Sequence, residues 1–245
     1  MNEQRIYDKM VAIDTRKVKS FYNQQAAKPQ DKRSAVFLGS QSPDILEQKD
    51  SYWRDHILPL LGVVKDTRVL DLGCGNGRLA EFMLPSCGHY CGVDFSDEMI
   101  KGAEQTCNRQ GGSFQLHCMS VVDAVAQEVA FYGGAFDLVI ISGVLMYLND
   151  PDVERIFQCL PGLLTEKCTL FVGDPVGLGR RMTLNDFPSE TLHTDYSAIY
   201  RTPVEYSAFF APLMDIGLNV IKSEFMPKFG EQYTDTARHY TILRR

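Results

Sequence analysis

The sequence predicts an α/β protein built on a doubly wound sheet of seven strands. Three observations carry that expectation. From residue 68 onward, short β-branched and Leu-rich runs alternate with helix-forming runs, the rhythm of strand–helix–strand units. The first of these strands, Arg68–Leu72, breaks into glycines at alternate positions, Gly73, Gly75 and Gly77. Glycines there let the backbone turn sharply and let a ligand approach bare amides at a helix N-terminus. The second strand, His89–Asp94, ends in a carboxylate followed by Ser96, a helix N-cap residue. A carboxylate at that strand tip, beside a glycine turn, is placed to accept both hydroxyls of a ribose.

Taken in chain order, residues 1–67 are expected to form an N-terminal helical cap. Thr15–Ala27 is helical but polar, and Lys28–Gln41 reads as a loop rich in charge and Gln. Ser42-Pro43-Asp44 starts the next helix with a cap residue, a proline at the first helical position and an acid in the first turn. Its apolar residues, among them Leu46, Trp53, Ile57 and Leu61, recur at helical spacing, with Pro59 bending the last turn and Gly62 as the stop. Residues 68–245 then supply strands near 68–72, 89–94, 113–118, 136–142, 168–174, 218–225 and 238–244. Helices are expected near 77–84, 97–109, 121–130, 151–164 and 203–216, the last opened by a capping box at Thr202-Pro203-Val204-Glu205. The segment 177–202 breaks the rhythm at the carboxyl edge of the sheet, where α/β proteins bind ligands, and is expected to be a substrate lid. Cap, sheet and lid are expected to form one compact unit.

At 245 residues the chain is long enough for one such domain with a substantial core. Its net charge of −6 opposes general binding of nucleic acid or an anionic membrane, since both need a concentrated basic field. The longest near-apolar run, Leu138–Leu148, is too short for a bilayer and contains Ser142 and Gly143. The N-terminus lacks the apolar core of a signal peptide. None of the seven cysteines forms a CxxC pair and no cluster has metal-ligand spacing, so no metal is expected and the chain reads as cytoplasmic.

The run Val69-Leu70-Asp71-Leu72-Gly73-Cys74-Gly75-Asn76-Gly77 resembles the first motif of the class I S-adenosylmethionine-dependent methyltransferases, (V/L)(L/V)(D/E)xGxGxG. A dinucleotide fingerprint would instead need its third glycine where Arg78 stands. Phe136 to Leu148 is similar to the same family's fourth-strand pattern, FDxVxxxxVLxxL. The likeness is strong from Arg68 to Val176 and weak in the cap and lid. It implies a Rossmann-like sheet whose last strand runs antiparallel, with S-adenosylmethionine as cofactor and S-adenosylhomocysteine as product. It also implies a cofactor site of Asp71, Gly73, Cys74, Gly75 and Asp94. Phe95 and Met99 would lie against adenine, Ser120 and Val121 at its edge with Asp123 accepting from its amino group, and Ser142 beside the methionine part.

Methyl transfer is an in-line displacement in which the protein orients a nucleophile and excludes water. A hydroxyl acceptor usually needs a general base, whereas an amine or an ionised oxygen can need positioning alone. His193, in the lid, is the first candidate base and Asp174, at the tip of the fifth strand, the second. Tyr147 occupies a place where enzymes of this family often carry an active-site aromatic or His. Tyr22, placed to cover the cofactor or to pack on the sheet, is also a candidate substrate contact, as are Tyr196 and Tyr200 of the expected lid. Arg180, Arg181 and Arg201 could clamp an anion through bidentate contacts. The expected function is methyl transfer to an oxygen or nitrogen of a small, anionic metabolite or sugar intermediate, of the bacterial secondary-metabolite or surface-polysaccharide type by family-level analogy. The expected partner is that small molecule alone, with no nucleic acid and no membrane. A non-catalytic S-adenosylmethionine-binding sensor or partner subunit is the alternative. An NAD-dependent oxidoreductase is opposed by the glycine spacing and by Asp71.

Overall fold

Strands form where the β-branched runs lie because each central strand is buried on both faces, a condition that Val, Ile and Leu fill without loss. The computed structural model describes residues 5–27, 42–189, 192, 194–230 and 234–245. Its strands are β1 (Arg5–Tyr7), β2 (Arg68–Leu72), β3 (His89–Asp94), β4 (Phe114–Cys118), β5 (Phe136–Ser142), β6 (Leu164–Gly177), β7 (Met182–Ser189), β8 (Thr194–Tyr200), β9 (Asn219–Phe225) and β10 (Thr236–Arg244). Seven of them form one sheet in the order β4-β3-β2-β5-β6-β10-β9. Neighbours from β4 to β6 pair in parallel, whereas β10 runs antiparallel to both β6 and β9. The last strand is thus the antiparallel one, as expected of a Rossmann-like methyltransferase sheet. Winding reverses between β2 and β5, which opens a crevice at their carboxyl ends.

The helices are α1 (Thr15–Ala27), α2 (Pro43–Tyr52), α3 (Leu58–Leu61), α4 (Ala80–Met83), α5 (Asp97–Gln110), α6 (Val121–Val125), α7 (Asp150–Cys159), α8 (Pro203–Phe209) and α9 (Ala211–Asp215). Period-two alternation along β2 sends Leu70 and Leu72 to one core, with Phe157 and Phe210, and Val69 to the other, with Trp53, Ile57 and Phe171. Between α2 and α3 the helix widens into a π turn, Trp53–Ile57. Pro59 explains it: a proline ring inside a helix collides with the carbonyl four residues back, and a wider turn relieves the collision. Gly62, at φ 67°, then ends the helix in the left-handed region.

The segment 177–202 departs most from expectation. It is a β-hairpin of β7 and β8, and β1 adds to it through Arg5↔Leu184 and Tyr7↔Met182. The cap expected to be helical therefore contributes a strand to a second, three-stranded sheet, β1-β7-β8. The fifth strand of the main sheet runs longer than expected, to Gly177, and the expected helix 203–216 divides into α8 and α9, where Pro212 removes a donor. The helix expected over 77–84 shrinks to α4, since Gly77 sits at φ 81° and delays its start. The loop expected over Lys28–Gln41 and the side chain of His193 lie outside the described residues.

Two contacts tie the N-terminal segment to the sheet. The Asn149 side chain accepts from Ile13 N at 2.9 Å and donates to Ile13 O at 3.1 Å. Arg78, just after the glycine run, pairs with Asp50 at 3.0 Å and lies 5.5 Å over the Trp53 ring. Among the described residues no helix is long and apolar enough to cross a membrane, and no group of three or more His, Cys, Asp or Glu could hold a metal ion.

Candidate active site

The crevice at the winding reversal is a cleft of about 930 Å³. Its floor is made by the glycine turn. Gly73 N and Cys74 N both donate to Val93 O, at 2.7 and 2.9 Å, which pins the turn leaving β2 against the end of β3. Gly73 and Gly75 sit at φ 80° and 55°, in the left-handed region. A side chain on Gly73 would also meet Val144 Cγ2 at 2.2 Å, so this turn passes the β5 loop too closely for any other residue.

Asp94 stands at the tip of β3, beside that turn. Gly75 N donates to its Oδ2 at 3.0 Å and Ser96 N to its Oδ1 at 2.9 Å. Burial pushes its carboxyl up to about 6, against the pull of the same N–H donors. Each oxygen keeps acceptor capacity beyond its backbone donor, which fits a diol such as a ribose. Ser96 caps α5 by accepting from Met99 N at 3.1 Å, and its hydroxyl also bonds Asn23 of α1. Asp71 accepts the Tyr90 hydroxyl at 2.7 Å, and burial pushes it up to about 6 as well. Ser120 caps α6 and donates to the Asp123 carboxylate at 2.7 Å, so that carboxylate already has a partner within the protein.

All ten residues expected to hold the cofactor line this one cleft: Asp71, Gly73, Cys74, Gly75, Asp94, Phe95, Met99, Ser120, Val121 and Ser142. Tyr22, Tyr147, Tyr196 and Tyr200 line it too. The three lid arginines do not. Arg201 is fully buried and bonds Asp150 at 2.8 Å and the carbonyls of Leu145 and Leu148 at 2.7 Å each. Arg181 reaches Asp150 at 2.9 Å and Glu205 at 3.1 Å. Arg180 is exposed and lies 3.8 Å over the Tyr7 ring. The anion clamp expected of these three is therefore not assembled, because two of them are consumed by carboxylates of α7 and α8. Asp174 is not a cleft residue either. It accepts Leu145 N at 3.1 Å and the Tyr206 hydroxyl at 3.2 Å, and burial pushes it up to about 7.

The cleft has cations that sequence reading passed over. Lys19 from α1, Lys228 from the chain after β9 and Arg238 from β10 all line it. So do Met182, Leu184 and Phe187 of β7; alternation could have revealed the first two, but Phe187 falls out of step, beyond a register shift between Leu184 and Phe187.

Comparison with known proteins agrees with this geometry. Residues 69–167 match the model of a methyltransferase domain family. Residues 69–167 are thus similar to a methyltransferase domain, and the fold is shared with S-adenosylmethionine-dependent methyltransferases. Phosphoethanolamine N-methyltransferase 1 of Triticum aestivum is 29% identical over 141 residues, covering 58% of this chain and 27% of that protein. Demethylmenaquinone methyltransferase of Listeria monocytogenes serotype 4a is 33% identical over 111 residues, 43% of this chain and 44% of that protein. The chain thus spans less than half the length of these curated relatives. Among solved structures, phosphoethanolamine N-methyltransferase 1 of Haemonchus contortus, in complex with phosphoethanolamine and S-adenosylhomocysteine, superposes with a TM-score of 0.71 at 16% identity, over 94% of this chain and 48% of that one. A Leishmania major S-adenosylmethionine-dependent methyltransferase gives 0.67 at 18% identity, over 93% and 82%. At these identities the structures speak for the fold.

Proposed function

We propose that the protein is an S-adenosylmethionine-dependent methyltransferase acting on an oxygen or nitrogen of a small, anionic molecule. The observation that carries this reading is the one cleft that gathers the glycine turn of Gly73, Cys74 and Gly75, Asp94 and the remaining six cofactor candidates. When bound, the cofactor supplies an electrophilic methyl group on a sulfonium. The chain supplies binding and orientation: Asp94 for the ribose hydroxyls, Phe95 and Met99 for the adenine faces, and the backbone around Ser142 for the amino-acid end. Lys19, Lys228 and Arg238 along the cleft support an anionic acceptor. The relatives named for phosphoethanolamine and demethylmenaquinone support a small-molecule one.

Calorimetric titration with S-adenosylhomocysteine, with NAD in a parallel cell, tests the reading. Micromolar binding of the first alone is expected; binding of NAD without S-adenosylhomocysteine would overturn it. The same titration has a pH signature. A ribose donates to ionised Asp94, whose carboxyl burial pushes up to about 6, so protonation competes with binding. Affinity should hold between pH 7 and 8 and weaken about tenfold by pH 5. A flat profile over that range would separate Asp94 from the ligand.

A further inference from the structure

Four tyrosines from three parts of the chain converge on the cleft: Tyr22 of α1, Tyr147 after β5, and Tyr196 and Tyr200 of β8. The hydroxyls of Tyr147 and Tyr196 share a hydrogen bond of 2.8 Å, and Tyr147 bonds Tyr22 as well. The rings of Tyr22 and Tyr147 meet edge to face, with centroids 5.3 Å apart and planes at 80°. Tyr147 and Tyr196 meet the same way at 6.1 Å and 86°. Phe95 stands 6.3 Å from Tyr22, and Phe21 backs Tyr196 at 5.9 Å. All four tyrosines line the cleft, and a ring face that these edge-to-face contacts leave open attracts a cation, most strongly away from water. Burial holds the phenols of Tyr22 and Tyr147 well above their ordinary range, so at neutral pH they are uncharged and poor proton acceptors.

We propose that this tyrosine cluster is an aromatic cage for a cationic nitrogen, and that the methyl acceptor is an amine which the cage holds. The proposal rests on the methyltransferase reading and narrows its acceptor from oxygen or nitrogen to nitrogen. The amine nitrogen, with its lone pair free, forms the new N–C bond as the C–S bond breaks and its electron pair passes to sulfur. The nitrogen takes up the positive charge that the sulfonium loses, and any proton it carried leaves to water. An amine that binds as ammonium releases a proton to water to free that lone pair, and the product nitrogen then carries the charge, so a cation faces the rings on binding and again after transfer. An alcohol acceptor would end uncharged and gain nothing from the rings.

Tetramethylammonium chloride is the probe, with 2,2-dimethylpropan-1-ol as its uncharged counterpart in shape. Each is titrated into protein saturated with S-adenosylhomocysteine and into unloaded protein. The cation should bind about tenfold more tightly than the alcohol, Tyr147→Leu should lose about that factor, and Tyr147→Phe should stay within about threefold of wild type. Retention in Phe with loss in Leu marks the ring face, since a role for the hydroxyl would fail in both. Equal binding of the two probes, or none of the cation in either state, overturns the cage. If S-adenosylhomocysteine binds meanwhile, the methyltransferase reading stands. If it does not, that reading fails, and the cage is still decided by the unloaded protein.

Discussion

An Asp94→Ala variant is expected to bind S-adenosylhomocysteine about 100-fold more weakly than wild type, or worse, while remaining folded. The carboxylate is held by backbone donors at 3.0 and 2.9 Å, so it enters the cleft with its orientation already fixed. Two charge-assisted hydrogen bonds to a ribose would each contribute about 1.5–3 kcal/mol, and about 1.4 kcal/mol corresponds to tenfold in affinity. Some of that gain is spent on keeping a charge in a site that already raises its pKa, which is why the expectation stays near the lower end. Asp94→Asn keeps one acceptor oxygen without the charge and should fall between the two, about tenfold weaker. Calorimetry on both variants measures the effect, with thermal melts as the control for folding. Wild-type affinity in Asp94→Ala would remove the ribose from this strand tip, and with it the placement of the whole cofactor site.

Much of the sheet, and the residues of the glycine turn and of the β3 tip that line the cleft, were legible in the sequence because their determinants are local. A strand that ends in glycines, a strand that ends in an acid, and a helix that opens with Ser96 or with the Thr202–Glu205 box each occupy a few consecutive residues. The antiparallel course of the last strand followed from the family likeness, and the observed reversal at β2 and β5 places the glycine turn and Asp94 side by side.

The hairpin of β7 and β8 was not legible for a different reason. β7 finds its partners in β8, a short hairpin away, and in β1, nearly 180 residues earlier, and no local pattern announces the second pairing. The density of Arg and Tyr in 177–202 looked like one functional surface. Folding sorts these residues by the company each meets: the tyrosines line the cleft, while two of the arginines meet Asp150, whose position at the start of α7 is fixed by residues far from the hairpin. The candidate anion contacts fall instead to Lys19, Lys228 and Arg238, which lie in three separate stretches of sequence and come together only in the fold.

The fate of Arg201 leads to the second large expectation. Arg201→Met should destabilise the protein by about 3–5 kcal/mol, because it breaks a buried ion pair by removing one partner. The side chain has no exposure to solvent, and its planar fork serves three acceptors: Asp150 at 2.8 Å and the carbonyls of Leu145 and Leu148 at 2.7 Å each. Methionine fills a similar volume but takes the Arg201 donor from the Leu148 carbonyl, leaves the Leu145 carbonyl with Leu148 N alone at 3.2 Å, and leaves Asp150 to Arg181 alone. Arg201→Lys should recover only part of the loss, since a point-like ammonium cannot match three acceptors fixed by a guanidinium fork. The two carbonyls flank Tyr147, so the same variant should also loosen the tyrosine cluster and weaken tetramethylammonium binding in whatever fraction stays folded. Urea unfolding of wild type and both variants measures the first effect. A change below about 1 kcal/mol would be the behaviour of a surface arginine, and would return Arg201 to the role of a ligand clamp that its place in the lid first implied.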